Sequence, residues 1–171
     1  MKKFFSKYHM LAGVAVIIIA LDQWTKHLVR TNIPLGGSWS PWEWLAPYAR
    51  IVHWTNTGAA FGIFQGFGGV FTILSIVVAG FMVYYFPQIP REDWPLRIAM
   101  GMQFGGALGN LVDRLTIGEV TDFVSVGSFA VFNVADACIT VGVVVLLVGM
   151  YIKERMDKKK ASAGSTPPAS E

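Results

Sequence analysis

Four apolar stretches, at about residues 10–29, 67–86, 95–112 and 132–152, dictate what this chain can fold into. Each is close to the ~20 residues that carry a helix across a bilayer. Backbone in lipid has to satisfy its own hydrogen bonds, so such stretches fold as helices. The third is the shortest and is rich in glycine. With 53% hydrophobic and 15% charged residues, a chain of 171 is too apolar for an ordinary soluble domain. The expected fold is an α-helical integral membrane protein of four transmembrane helices, one domain over residues 1–152.

The first stretch begins like a secretory leader, with Lys2, Lys3 and Lys7 ahead of an apolar run. The run continues into Leu21-Asp22-Gln23-Trp24 without a small-residue cleavage site, so it reads as an uncleaved span. The positive-inside rule sets the orientation. With both termini cytoplasmic, ten of the fourteen Lys and Arg residues lie inside. Only Lys26, Arg30, Arg50 and Arg114 lie outside.

This topology puts the two longer connections, about 30–66 and 113–131, on the outer side. Residues 50–57 and 120–134 are rich in β-branched and aromatic types, which predicts a small extracytoplasmic β-rich element. Trp39, Trp42, Trp44 and Tyr48 crowd the first outer loop and suit an interfacial segment at headgroup level. Residues 153–171 read as a basic cytoplasmic disordered tail, with Lys158, Lys159 and Lys160 facing anionic lipid heads.

Carboxylates at bilayer depth are costly, and their presence is a functional hypothesis. At 1.5 Å per residue, Asp22 lies roughly 10 Å inside the outer end of the first span, and Asp136 roughly 6 Å past the start of the fourth. The third span ends outward at Asn110, Asp113 and Arg114. The polar groups therefore gather at one depth on one side.

Gly127-Ser128 suits a two-residue type II′ turn. Counting back from it pairs Val126 with Phe129, Val124 with Val131, and Asp122 with Asn133. Asn133 then starts a helix, and Asp136 three residues on completes a capping-box pattern. Asp122 and Asp136 become neighbours, able to share one proton. A purely structural reading stands beside this, in which Asp136 caps its helix and Asp122 ends its strand. Asp22 and Lys26 share a helix face and read as a structural ion pair. Gly101, Gly105 and Gly109 make a close-packing face. Asn110 and Arg114 follow on a similar face, within reach of the outer strands or a substrate backbone. Asn56 and Gly58 read equally as a turn or as a buried amide donor beside a site.

Other chemistries find no support. Cys138 lies in a span with no activating base beside it and reads as a packing residue. No basic patch interleaves with aromatics, which argues against nucleic acid. No His-Glu-x-x-His pattern offers a zinc site, and no Gly-x-Ser-x-Gly elbow offers a nucleophile. No metal or cofactor is expected.

Taken together, Asp22-Gln-Trp-Thr-Lys26, Asn56-Thr-Gly-Ala-Ala-Phe61, Gly105-Gly-Ala-Leu-Gly-Asn110-Leu-Val-Asp113-Arg114, Val120-Thr-Asp122-Phe and Phe132-Asn133-Val-Ala-Asp136-Ala resemble bacterial lipoprotein signal peptidase, or signal peptidase II, of aspartic peptidase family A8. Order and spacing match over about residues 10–152. The resemblance implies a multi-pass aspartic endopeptidase of the bacterial cytoplasmic (inner) membrane, its active site facing outward. It implies prolipoprotein substrates carrying a diacylglyceryl-cysteine lipobox, cut just before the lipidated cysteine, in contact with membrane lipid. It also implies inhibition by globomycin. On this resemblance Asp122 and Asp136 are the catalytic dyad. Asn56, Gly58, Asn110, Arg114 and Asn133 line or brace the site, and Asp22, Lys26 and Asp113 are structural beside it. Two rivals use the same residues: a small four-span transporter or proton-coupled carrier, and a non-catalytic assembly factor whose acids pair with Lys26 and Arg114.

Overall fold

The computed structural model describes residues 2–58 and 66–164, without the side chains of residues 2–6, 157 and 160–164. In chain order the elements are α1 (Lys2–Asn32), β1 (Ser38–Trp39), β2 (Ala49–Asn56), α2 (Gly68–Tyr85), a short 3-10 turn (Phe86–Gln88), α3 (Trp94–Thr116), β3 (Val120–Val126) and α4 (Val134–Gly164). Central α3 packs against α1, α2 and α4. An antiparallel sheet, ordered β1-β2-β3, sits at one end of the bundle.

The surface is apolar where a soluble protein would be polar. Val16, Ile17, Ile73, Leu74, Val77, Phe81, Val144 and Leu147 are all exposed. Three helical segments are long and apolar enough to cross a membrane: Lys7–Asn32, Gly68–Gln88 and Val134–Met156. Helix α3 is not among them, for a physical reason. It is shielded by its neighbours, and its buried face carries Arg97, Gln103, Asn110 and Asp113 between glycines. Interior position lets it hold polar groups that a lipid-facing helix excludes.

The glycine face of α3 is a packing surface. A Cβ on Gly106 would stand 2.5 Å from the Ala135 carbonyl oxygen of α4, and one on Gly109 would stand 2.8 Å from Asp22 Oδ2 of α1. We expect Gly106→Ala to push α4 away and lower stability by about 1–3 kcal/mol. Gly13→Ala, where nothing lies within 4 Å, is the control and is expected to be neutral or stabilising. Thermal unfolding of the two purified variants checks both.

Three expectations need correction. Residues 153–164 are helical, because α4 runs to Gly164. Glu154, Arg155, Met156, Lys158 and Lys159 are strong helix formers, and Glu154 pairs with Lys158 one turn on. The expected disorder beyond, at 165–171, lies outside the described residues. The strand expected over 120–134 stops at Val126. A two-residue turn forms at Gly127-Ser128, with Gly127 at φ +52° and the Phe129 N–H donating to the Val126 carbonyl at 3.0 Å. The return arm then slips by one residue. Phe132 rather than Val131 faces Val124, as a single bridge, and the Phe132 carbonyl accepts from both Phe123 and Val124.

The main partner of β3 is instead β2, in the register Ala49↔Val126 to Ile51↔Val124 and, past a bulge, Trp54↔Asp122 to Asn56↔Val120. β2 covers 49–56, close to the strand expected over 50–57. Trp39, Trp42, Trp44 and Tyr48 are exposed around β1 and the turn after it.

Candidate active site

Asp122 and Asp136 reach one pocket from different elements. Asp122 stands on β3, two residues after the strand begins, and is 2% exposed. Asp136 stands in the first turn of α4 and is half-buried. The capping box forms as expected. The Asp136 N–H donates to Asn133 Oδ1 at 3.0 Å, and the Asn133 N–H donates to Asp136 Oδ2 at 3.2 Å.

Three amides hold the pair. Asn56 Nδ2 donates to Asp122 Oδ2 at 3.0 Å, and Asn133 Nδ2 donates to Asp122 Oδ1 at 2.7 Å. Asn110 Nδ2 donates to Asp136 Oδ1 at 2.8 Å. Asn133, fully buried, also donates to Asn110 Oδ1 at 3.1 Å, so it joins the two halves. Asn56, half-buried, makes a local turn and an amide contact at once. Its Oδ1 accepts the Gly58 N–H at 2.9 Å, closing a local turn, while its Nδ2 serves Asp122. Ala59, Ala60 and Phe61 of that motif lie outside the described residues. Among the described residues neither Asp122 nor Asp136 forms a salt bridge.

Beneath the pair lies an ionic layer. Asp22, Lys26 and Asp113 are wholly buried. Lys26 Nζ is 2.8 Å from Asp22 and 3.1 Å from Asp113. The Asp113 carboxylate also meets Arg30 at 3.5 Å and accepts from Gln23 Nε2 at 3.0 Å. Every buried side-chain polar atom among the described residues has a partner. Sequence reasoning placed Asp22, Lys26 and Asp113 here but missed Gln23, Arg30 and Thr121. Gln23 could have been found as a polar residue inside a span. Arg30 follows one turn after Lys26. Thr121 accepts from Arg30 at 3.0 Å and left no sequence signal.

The pocket over the pair has a volume of about 540 Å³. Its polar lining is Asn56, Asn110, Arg114, Asp122, Asp136 and Thr140, Gly58 borders it, and its apolar lining includes Phe71, Phe129, Val131, Ile139 and Val141. Arg114 lies over the Phe71 ring, 5.7 Å from its centroid, and leans from α3 toward α2. Burial, and then the charge of Asp136, push the Asp122 carboxyl up to about 6. Hydrogen bonds from Asn56 and Asn133 pull the other way. Among the described residues no group of His, Cys, Asp and Glu is arranged to hold a metal ion.

These features define a helical membrane protein with a paired-carboxylate pocket at the sheet end of its bundle. The chain belongs to the signal peptidase II family, peptidase A8, whose profile matches residues 14–152. It is 39% identical over 150 residues to the lipoprotein signal peptidase of Shouchella clausii (strain KSM-K16), covering 85% of this chain and 95% of that one. It is 32% identical over 163 residues to the lipoprotein signal peptidase of Staphylococcus aureus (strain JH9), covering 93% and 96%. A bacterial membrane enzyme solved by the in meso method at 2.3 Å resolution superposes with a TM-score of 0.76 at 28% identity, covering 94% of each chain. A second, at 1.9 Å, gives 0.73 at 31% identity, covering 82% of this chain and 91% of that one.

Proposed function

We propose that this protein is a membrane aspartic endopeptidase that removes the signal peptide from diacylglyceryl-modified prolipoproteins, cutting just before the lipidated cysteine. The observation that carries the reading is the pocket itself. Two carboxylates meet there on amide donors, with no cation paired to either among the described residues.

Two close carboxylates hold one proton between them over a wide pH range. The ionised partner takes a proton from water, whose oxygen attacks the scissile carbonyl carbon. The protonated partner donates to that carbonyl oxygen as it gains charge. Collapse of the tetrahedral intermediate breaks the C–N bond: the leaving nitrogen takes a proton from one carboxyl while the other takes back a hydroxyl proton, which restores the singly protonated pair. Arg114, which lines the pocket, is placed to meet the substrate backbone.

In the same reading α3 is the fourth span, both termini are cytoplasmic, and the sheet end faces outward from the bacterial inner membrane. The exposed aromatics around Trp42 lie at the interface. Globomycin would occupy the pocket. The test is mass-spectrometric mapping of the product from a diacylglyceryl-modified prolipoprotein and purified enzyme. A cut just before the modified cysteine supports the proposal, and no cut, or one elsewhere, ends it.

A pH dependence follows. Loss of the pair's last proton, which burial keeps on Asp122 up to about pH 6 in the free protein, sets the alkaline limb of kcat/KM. The Asn56 hydrogen bond favours ionised Asp122. Asn56→Ala removes that preference, so the alkaline limb is expected at higher pH than in wild type. A pH–rate profile of both proteins checks the sign, and a limb that stays put or moves down counts against it.

A further inference from the structure

Lys26 has more partners than an ion pair along one helix needs. Its ammonium has three N–H bonds. They point at Asp22 Oδ2 (2.8 Å), Asp113 Oδ2 (3.1 Å) and Asn110 Oδ1 (2.9 Å). Each of these partners also grips an element that carries the carboxylate pair. Asp22 Oδ1 accepts the N–H of Ala135, the residue before Asp136, at 3.0 Å. Asp113 Oδ2 accepts the N–H of Thr121, the residue before Asp122, at 3.1 Å. Asn110 Nδ2 donates to Asp136 Oδ1 at 2.8 Å.

From this arrangement we infer that Lys26 is the positioning residue of the catalytic pair, acting through Asp22, Asp113 and Asn110 on both carboxylates at once. This rests on the dyad reading above. Lys26 touches neither Asp122 nor Asp136. It fixes the distance between them, because β3 and α4 are both tied back to one buried point on α1. Together with Asn133 Nδ2, its charge also orients the Asn110 amide. The oxygen faces Lys26, so the NH2 group is the end presented to Asp136. A flipped amide would turn its oxygen toward the Asp136 carboxylate and away from the Lys26 ammonium. A neutral spacer of the same length would leave Asn133 Nδ2 as the one donor holding that oxygen in place.

The arrangement also accounts for Gly109. Its missing side chain lets Asp22 reach across α3 toward Ala135, since a Cβ there would stand 2.8 Å from Asp22 Oδ2.

Lys26→Met alone strands two buried carboxylates and threatens the fold. The informative variant is the triple Asp22→Asn, Lys26→Met, Asp113→Asn, whose amide oxygens still accept from Ala135 and Thr121. Rates on a diacylglyceryl-modified prolipoprotein are measured beside wild type and Asp122→Asn, with thermal unfolding in parallel. Misplacing reacting groups by about 1 Å costs about 100-fold, so kcat of the folded triple variant is expected to fall by about that factor. KM is expected to stay within about twofold, because the apolar wall of the pocket and Arg114 are not substituted.

Lys26→Arg keeps the charge but replaces three converging N–H bonds with a planar fork. It is expected to lose about tenfold in kcat with the same split, and it decides the matter if the triple variant does not fold. A folded variant with near-normal kcat, or a loss confined to KM, overturns the inference. If Asp122→Asn is inert while the triple variant turns over normally, only the role of Lys26 falls. If Asp122→Asn itself turns over normally, the dyad reading falls and this inference with it.

Discussion

Replacing either carboxylate by its amide, Asp122→Asn or Asp136→Asn, is expected to leave a folded protein that cleaves a diacylglyceryl-modified prolipoprotein about 100- to 10,000-fold more slowly than wild type. The range is what positioned proton transfer contributes, and each substitution removes one transfer partner. The fold is expected to survive for reasons of geometry. An amide at position 136 keeps an oxygen for the Asn133 N–H, so the cap of α4 remains. Its NH2 group then meets that of Asn110, whose orientation Lys26 and Asn133 hold. At position 122 the new NH2 group meets Asn56 or Asn133. Each mismatch costs about 1–3 kcal/mol, and the helix packing below is unaffected. Initial rates and thermal unfolding are measured together. An assembly role for the acids predicts the opposite pattern, with lost stability leading and activity following it. Near-normal turnover in either variant would sink the aspartic mechanism.

The pair was legible in the sequence because local chemistry brings it together. A glycine turn and a capping box connect Asp122 to Asp136, and neither depends on the rest of the fold. The result even tolerates an error of register. Phe132, not Val131, faces Val124, yet Asn133 Nδ2 still reaches Asp122 at 2.7 Å. What stayed hidden was long-range. The pairing of β2 with β3 spans more than sixty residues, and its bulge places Trp54 opposite Asp122, with Asn56 two further along the same face. No local pattern announces such a register. Asp22 and Lys26 were visible as a pair one turn apart. That Lys26 also serves Asp113 and Asn110 depends on how α1 and α3 rotate against each other. The third apolar stretch was the faintest in the sequence because the interior position of α3 lets it carry glycine and polar residues. The helical continuation over 153–164 was hidden for a different reason, since apolar content marks where a span ends and not where its helix ends.

A lipidated precursor is expected to be cut at least about 100-fold faster, in kcat/KM, than the same peptide with an unmodified cysteine. The argument begins with the pocket wall. Phe71 of α2, Phe129 and Val131 of the return arm, and Ile139 and Val141 of α4 give it an apolar side beside the carboxylates. The helices that supply it also expose apolar side chains, among them Ile73, Leu74 and Val144. An acyl chain already in the bilayer gains little from moving along such a wall, because both surroundings are apolar. What the chain supplies is depth and orientation. With its lipid on the wall, the scissile carbonyl is held at the level of Asp122 and Asp136. Without it, the same peptide samples many depths, and a misplacement of about 1 Å is enough to cost about 100-fold. The comparison needs matched peptides in one bilayer preparation, with binding measured separately so that partitioning is not mistaken for catalysis. Equal rates would mean that the apolar wall does not set the register of the substrate. Recognition would then have to rest on the polar lining, with Arg114 the first residue to test.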